Sequence, residues 1–127
     1  MDKQGKFSNP IPVRFIGMAS TVDVDEDRLD KFLGENPVAV IDFWGVTCMP
    51  CKMMAPLIDE LADEYSGRCA FGKFKVDGKW KLVGRKYNVM SVPTLLVYKD
   101  GKNVKRYTGY SPTSTPRKLR ETIEELV

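Results

Sequence analysis

Val38-Ala39-Val40-Ile41-Asp42-Phe43-Trp44-Gly45-Val46-Thr47-Cys48-Met49-Pro50-Cys51 carries the reading of this chain. Its first half, preceded by Pro37, is an almost wholly apolar run of strand length. Such a run reads as a central strand buried on both faces. After a short loop, Pro50 can open a helix, because the first turn tolerates a residue without an N–H. Met54, Leu57, Ile58 and Leu61 give that helix an apolar stripe, and Pro56 inside it predicts a kink.

Cys48 and Cys51 therefore fall between a buried strand and a helix start. The thiolate is the reactive form of cysteine. A helix N-terminus presents unpaired N–H groups and roughly half a positive charge, which stabilises a thiolate there. A spacing of three residues across a first helical turn brings two sulfurs within bonding reach. The first cysteine, exposed at the turn, attacks; the second lies beneath it and resolves the mixed disulfide. Half of a zinc knuckle has the same Cys-x-x-Cys spacing. Here no second pair and no histidine completes a four-ligand set within one chain, so no metal is expected.

Outward from this core, Thr21-Val22-Asp23-Val24 is a weak strand. Asp25 can cap a following helix in which Leu29, Phe32 and Leu33 face inward, with Gly34 ending it. Downstream, the alternation from Cys69 to Val76 predicts a strand, with Cys69 packed as a small buried hydrophobe. Trp80 to Tyr87 predicts a short helix with Leu82 and Val83 inward. Thr94 to Tyr98 is a strand, Lys99-Asp100-Gly101-Lys102 a hairpin turn, and Val104 to Thr108 the returning strand. Pro116 starts a last helix that turns Leu119, Ile123 and Leu126 inward. Alternating strands and helices followed by a hairpin and a helix imply an α/β fold, a central mixed sheet with helices on both faces. Residues 1–19, with Pro10 and Pro12, read as an N-terminal extension, in which Ile11, Val13, Phe15 and Gly17 allow a short extra strand. Residues 20–127 form the one domain.

Composition narrows the chemistry. The 127 residues include no histidine, which removes Ser-His-Asp, Cys-His and His-metal sites. Three cysteines are too few for a disulfide-framed secreted scaffold. No run approaches the ~18 apolar residues of a membrane span, and the polar start with a broken stretch from Ile11 to Met18 makes a poor signal peptide. A cytoplasmic protein with no membrane partner is expected. The charge is −5 over residues 1–71 and +8 over residues 72–127, for a net +3. Without interleaved aromatics the basic half reads as a solvated face, so no nucleic-acid partner is expected.

The stretch Val40 to Trp44, then Cys48-Met49-Pro50-Cys51-Lys52-Met53-Met54-Ala55-Pro56, resembles the active-site region of thioredoxins. Ser91-Val92-Pro93-Thr94-Leu95-Leu96-Val97-Tyr98-Lys99-Asp100-Gly101-Lys102 resembles their cis-proline segment and hairpin. The likeness runs from Ser20 to Val127 and implies the thioredoxin fold. It implies that Cys48 is the nucleophile and Cys51 the resolving thiol. Asp42 is then a buried carboxylate that takes the proton of Cys51 through water, and Lys73 lies near that carboxylate. Pro93 is the cis proline facing the disulfide, Val92 pairs its backbone with an extended substrate, and Gly109 allows a close approach to the groove. Trp44 packs beneath the active-site loop, and Thr47 and Met49 join Val92 and Gly109 in a neutral contact surface.

The chain departs from the family where Thr47 replaces a tryptophan and Met49 a glycine. The segment from Asp77 to Pro93, which holds Trp80, is slightly longer than usual, and the extension is extra. These changes bear on partner choice rather than on disulfide chemistry. The expected function is reduction of protein disulfides by dithiol–disulfide exchange, with no cofactor beyond the Cys48–Cys51 disulfide. Its expected partners are disulfide-containing proteins and an electron donor of the thioredoxin-reductase type, and it is expected to act as a monomer. A redox-idle binding or scaffold module on the same fold is the alternative. A metal or cluster shared between two chains is a third reading.

Overall fold

A computed structural model describes residues 21–127; the N-terminal extension and its alternating Ile11–Gly17 stretch lie outside the described residues. The elements are β1 (Thr21–Val24), α1 (Leu29–Glu35), β2 (Val38–Trp44), α2 (Met49–Glu64), β3 (Ala70–Lys75), α3 (Trp80–Tyr87), β4 (Thr94–Lys99), β5 (Lys102–Thr108) and α4 (Thr115–Leu126). The strands form one sheet in the order β1-β3-β2-β4-β5. β3 runs parallel to both β1 and β2, whereas β4 runs antiparallel to β2 and to β5.

The period of two along each strand divides the core into two layers. Val38 and Val40 of β2, Phe71 of β3, and Leu95 and Val97 of β4 face one side. There they meet Met54, Leu57, Ile58 and Leu61 of α2 and Leu119 and Ile123 of α4. Ala39, Ile41, Phe43, Phe74 and Leu96 face the other side, against Leu29, Phe32 and Leu33 of α1 and Val83 of α3. Phe43 stacks on Phe74, with ring centroids 5.0 Å apart, and Tyr87 packs tilted against Phe43 and edge-on against Phe74, knitting this second layer. β2 is central and buried along nearly its whole length, as its apolar run requires.

Three local expectations change. Asp25 does not cap α1 directly. Its Oδ1 accepts the N–H groups of Asp27 and Arg28, both at 3.0 Å, and so closes a turn before the helix begins at Leu29. Gly34 lies inside α1 rather than after it, and the Asn36 side chain donates to the Phe32 carbonyl at 2.8 Å beyond the helix end. Leu82 is only half-buried; Val83 and Val89 do the packing at that edge. The hairpin turn forms with Asp100 and Gly101 both at positive φ, 50° and 82°. That pair is what a two-residue turn of matching twist needs. Val104 is an extra residue in β5, and the Asn103 amide fills the resulting bulge by donating to the carbonyls of Val97 and Lys105.

Topology gathers the chemistry at one sheet edge. β2 and β3 end there, while antiparallel β4 begins there and β5 returns to it. Residues 45–48, 76–79, 91–93 and 109 are thereby neighbours.

Candidate active site

Cys48 occupies the N-cap of the 16-residue α2, with Pro50 in the first turn. Its sulfur accepts the Cys51 N–H at 3.2 Å, so an otherwise unpartnered helix N–H points at the reactive atom. Cys48 is partly exposed, whereas Cys51 retains 4% exposure. The two are joined by a disulfide, with Cα atoms 5.3 Å apart. This is the oxidised form of the pair.

Beneath Cys51 lies Asp42, 3% exposed, near the end of β2. It faces α2 because it shares the parity of Val38 and Val40. Burial pushes its carboxyl up to about 7, against the pull of Lys73 and with a further push from Asp59. Its Oδ1 has no hydrogen-bond partner among the described residues. A cavity of about 140 Å³ lies here, lined by Asp42, Trp44, Cys51, Lys52, Ala55 and Lys73. That is room for several waters, against a wall that is mostly apolar. The Trp44 indole Nε1 is also buried without a partner among the described residues.

Lys73 is the register neighbour of Asp42 across β2 and β3. Among the described residues, however, its ion pair goes to Asp59 on α2, at 3.6 Å, and not to Asp42. Around the cysteines, the Val92–Pro93 peptide bond is cis and Pro93 is buried. Val92 lies against Gly45, where an added Cβ would be 3.7 Å from Val92 Cγ2. Gly109 donates its N–H to the Pro93 carbonyl at 2.8 Å, tying the start of β4 to the end of β5. Its φ of 80° requires glycine, whereas a Cβ there would meet nothing within 4 Å. Thr47 and Met49 flank Cys48 and are exposed, Met49 at 64%. Val46, Met53 and Met90 add further exposed apolar side chains.

The site residues named from the sequence thus fall into two groups. Asp42, Trp44, Cys51 and Lys73 share the cavity under the disulfide. Thr47, Met49, Val92, Pro93 and Gly109 belong to the outer loops. Sequence reasoning missed Asp59, whose only signal is its place eight residues after Cys51, on the same side of α2. It also missed Asp77, whose Oδ2 accepts the Val46 N–H at 3.0 Å and so holds the loop before Cys48. Among the described residues no group of three or more His, Cys, Asp or Glu is placed to hold a metal ion. Cys69 is buried just before β3, and burial pushes its thiol up to about 12.

The family model for thioredoxin matches residues 20–125. The chain belongs to the thioredoxin family. It is 45% identical over 91 residues to a thioredoxin of Staphylococcus epidermidis, covering 72% of this chain and 86% of that one. It is 36% identical over 124 residues to the chloroplastic M-type thioredoxin of Spinacia oleracea, covering 97% of this chain and 66% of that one. Among solved structures, a mutant thioredoxin from Halobacterium salinarum superposes with a TM-score of 0.74 at 29% identity, covering 84% of this chain and 90% of that one. The reduced thioredoxin of Schistosoma mansoni gives 0.72 at 30% identity, covering 86% and 100%. As a thioredoxin-family chain with its cysteine pair in place, the protein is a thiol–disulfide oxidoreductase and a protein disulfide reductase. The redox-idle reading is not favoured. No helix among the described residues is long and apolar enough to cross a membrane.

Proposed function

We propose that Cys48 attacks a disulfide of an extended protein segment and that Cys51 resolves the product. The contrast between partly exposed Cys48 and buried Cys51 carries this division of labour. The Cys48 thiolate bonds one substrate sulfur and expels the other as a thiolate. Cys51 then attacks Cys48 Sγ, expels the second substrate sulfur and closes the disulfide. Two electrons and two protons pass to the substrate. Asp42, ionised above its raised pKa, accepts the Cys51 proton through water in the cavity between them. The substrate backbone lies beside Val92, and Val46, Met49 and Met90 offer it apolar contact.

The disulfide itself is the redox group, restored by an electron donor of the thioredoxin-reductase type. A monomer in a reducing compartment such as the cytoplasm, with residues 1–19 as an extension to the domain, completes the reading. The Staphylococcus relative, a thioredoxin matched over 86% of its length, supports the disulfide-exchange part of this reading. The test is mixed-disulfide trapping from cell extract on non-reducing gels. Cys51→Ser should retain partners that reductant releases, whereas Cys48→Ser should retain almost none. Equal trapping by the two variants overturns the assignment of attacking and resolving thiols.

A further inference from the structure

Asp42 is not the only carboxylate that competes for Lys73. Asp59 stands eight residues after Cys51, about two helical turns along the side of α2 that meets the sheet. Its Oδ1 is buried, lacks a hydrogen-bond partner among the described residues, and lies 3.6 Å from Lys73 Nζ. The Lys73 side chain is 21% exposed and that of Asp59 43%. The groups facing Asp42 are Lys73 from β3 and Cys51, Lys52 and Asp59 from α2; its neighbour on β4 is the apolar Leu95.

We propose that Asp59 is a positioning residue for the exchange reaction: it holds the Lys73 ammonium and so sets the pH at which Asp42 accepts a proton. The inference rests on the reading of Asp42 as proton acceptor for Cys51. A lysine committed to Asp42 alone would favour the carboxylate and make it a weak base. A base works best when its pKa lies near the working pH. Asp59 acts in that direction twice, by engaging the lysine and by placing a second negative charge near Asp42. Partial exposure screens both effects, so the change on its removal belongs at the low end of charge-induced shifts.

The decisive measurement is a carboxyl ¹³C NMR titration of Asp42 in the oxidised protein, where neither Cys48 nor Cys51 titrates. It is paired with the pH profile of disulfide reduction. Asp59→Asn should lower the Asp42 midpoint by about one pH unit, and the inflection of the rate profile should move with it. Asp59→Glu should restore both, and Asp59→Ser should read the same shift if the asparagine variant does not fold. In an Asp42→Asn background the Asp59→Asn change should leave the profile unmoved. A rate profile that Asp42→Asn leaves unchanged overturns the proton-acceptor reading and this inference with it. A profile that Asp42→Asn changes, but that stays unmoved together with the carboxyl midpoint in Asp59→Asn, overturns this inference alone.

Discussion

A carboxyl buried under a helix without a hydrogen-bond partner opposes folding once it ionises. Asp42 ionises near 3.8 in an unfolded chain and near 7 in the folded one, chiefly because burial disfavours its charge. Between these values the unfolded state has released the proton and the folded state has not. Stability therefore falls as pH rises from about 4 to about 7, by up to roughly 4 kcal/mol. Asp42→Ala should be more stable than the parent at pH 8, by about 2–4 kcal/mol, with the gain vanishing by pH 4. Urea unfolding at both pH values checks this, and an equal difference at the two pH values would refute it. The same variant should slow disulfide reduction. The cysteines were legible from sequence because a strand–loop–helix junction exposes the first thiol and shields the second. The burial of Asp42 was legible from its apolar neighbours Ile41 and Phe43. Asp59 and Asp77 were not, because their partners, Lys73 and the Val46 N–H, come close only through packing of α2 and the loop after β3.

At the level of elements, β2, α2, α3, β4 and α4 follow their sequence signals closely, since long apolar runs, in-turn prolines and helical stripes are local. The boundaries of α1 escaped because side chains outside this short helix set them: Asp25 closes the turn before it, and Asn36 bonds the Phe32 carbonyl after it. The β4–β5 hairpin shows how strongly two residues can govern an element. Gly101 sits at φ 82° beside Asp100 at 50°. Gly101→Ala should cost about 1–2 kcal/mol by placing a Cβ in the left-handed region. Thermal unfolding measures that loss. A cost below a few tenths of a kcal/mol would mean that the turn relaxes to another type. The disulfide chemistry should be unaffected, because the turn lies at the sheet end opposite Cys48.

Across the whole molecule, the catalytic cavity and the outer contact surface are separate, and this separates reactivity from recognition. Thr47 and Met49 are exposed beside Cys48 and line no part of the cavity. Met49→Gly and Thr47→Trp should therefore change the rate with a protein reductase by several-fold, while a small-molecule disulfide reacts at nearly the parent rate. Parallel assays with both partners decide the matter, and equal changes would remove the recognition role. The sheet also has a boundary with a consequence of its own. β5 closes one side with Lys102, Lys105 and Arg106 exposed along it, and among the described residues no further strand pairs with it on that side. An incoming strand from a second copy of β5 would bring like charges face to face, at a cost that grows with each added rung. The basic rim thus opposes pairing of β5 with its own copy, and with it the fibre-like growth that an uncharged border would invite at high concentration.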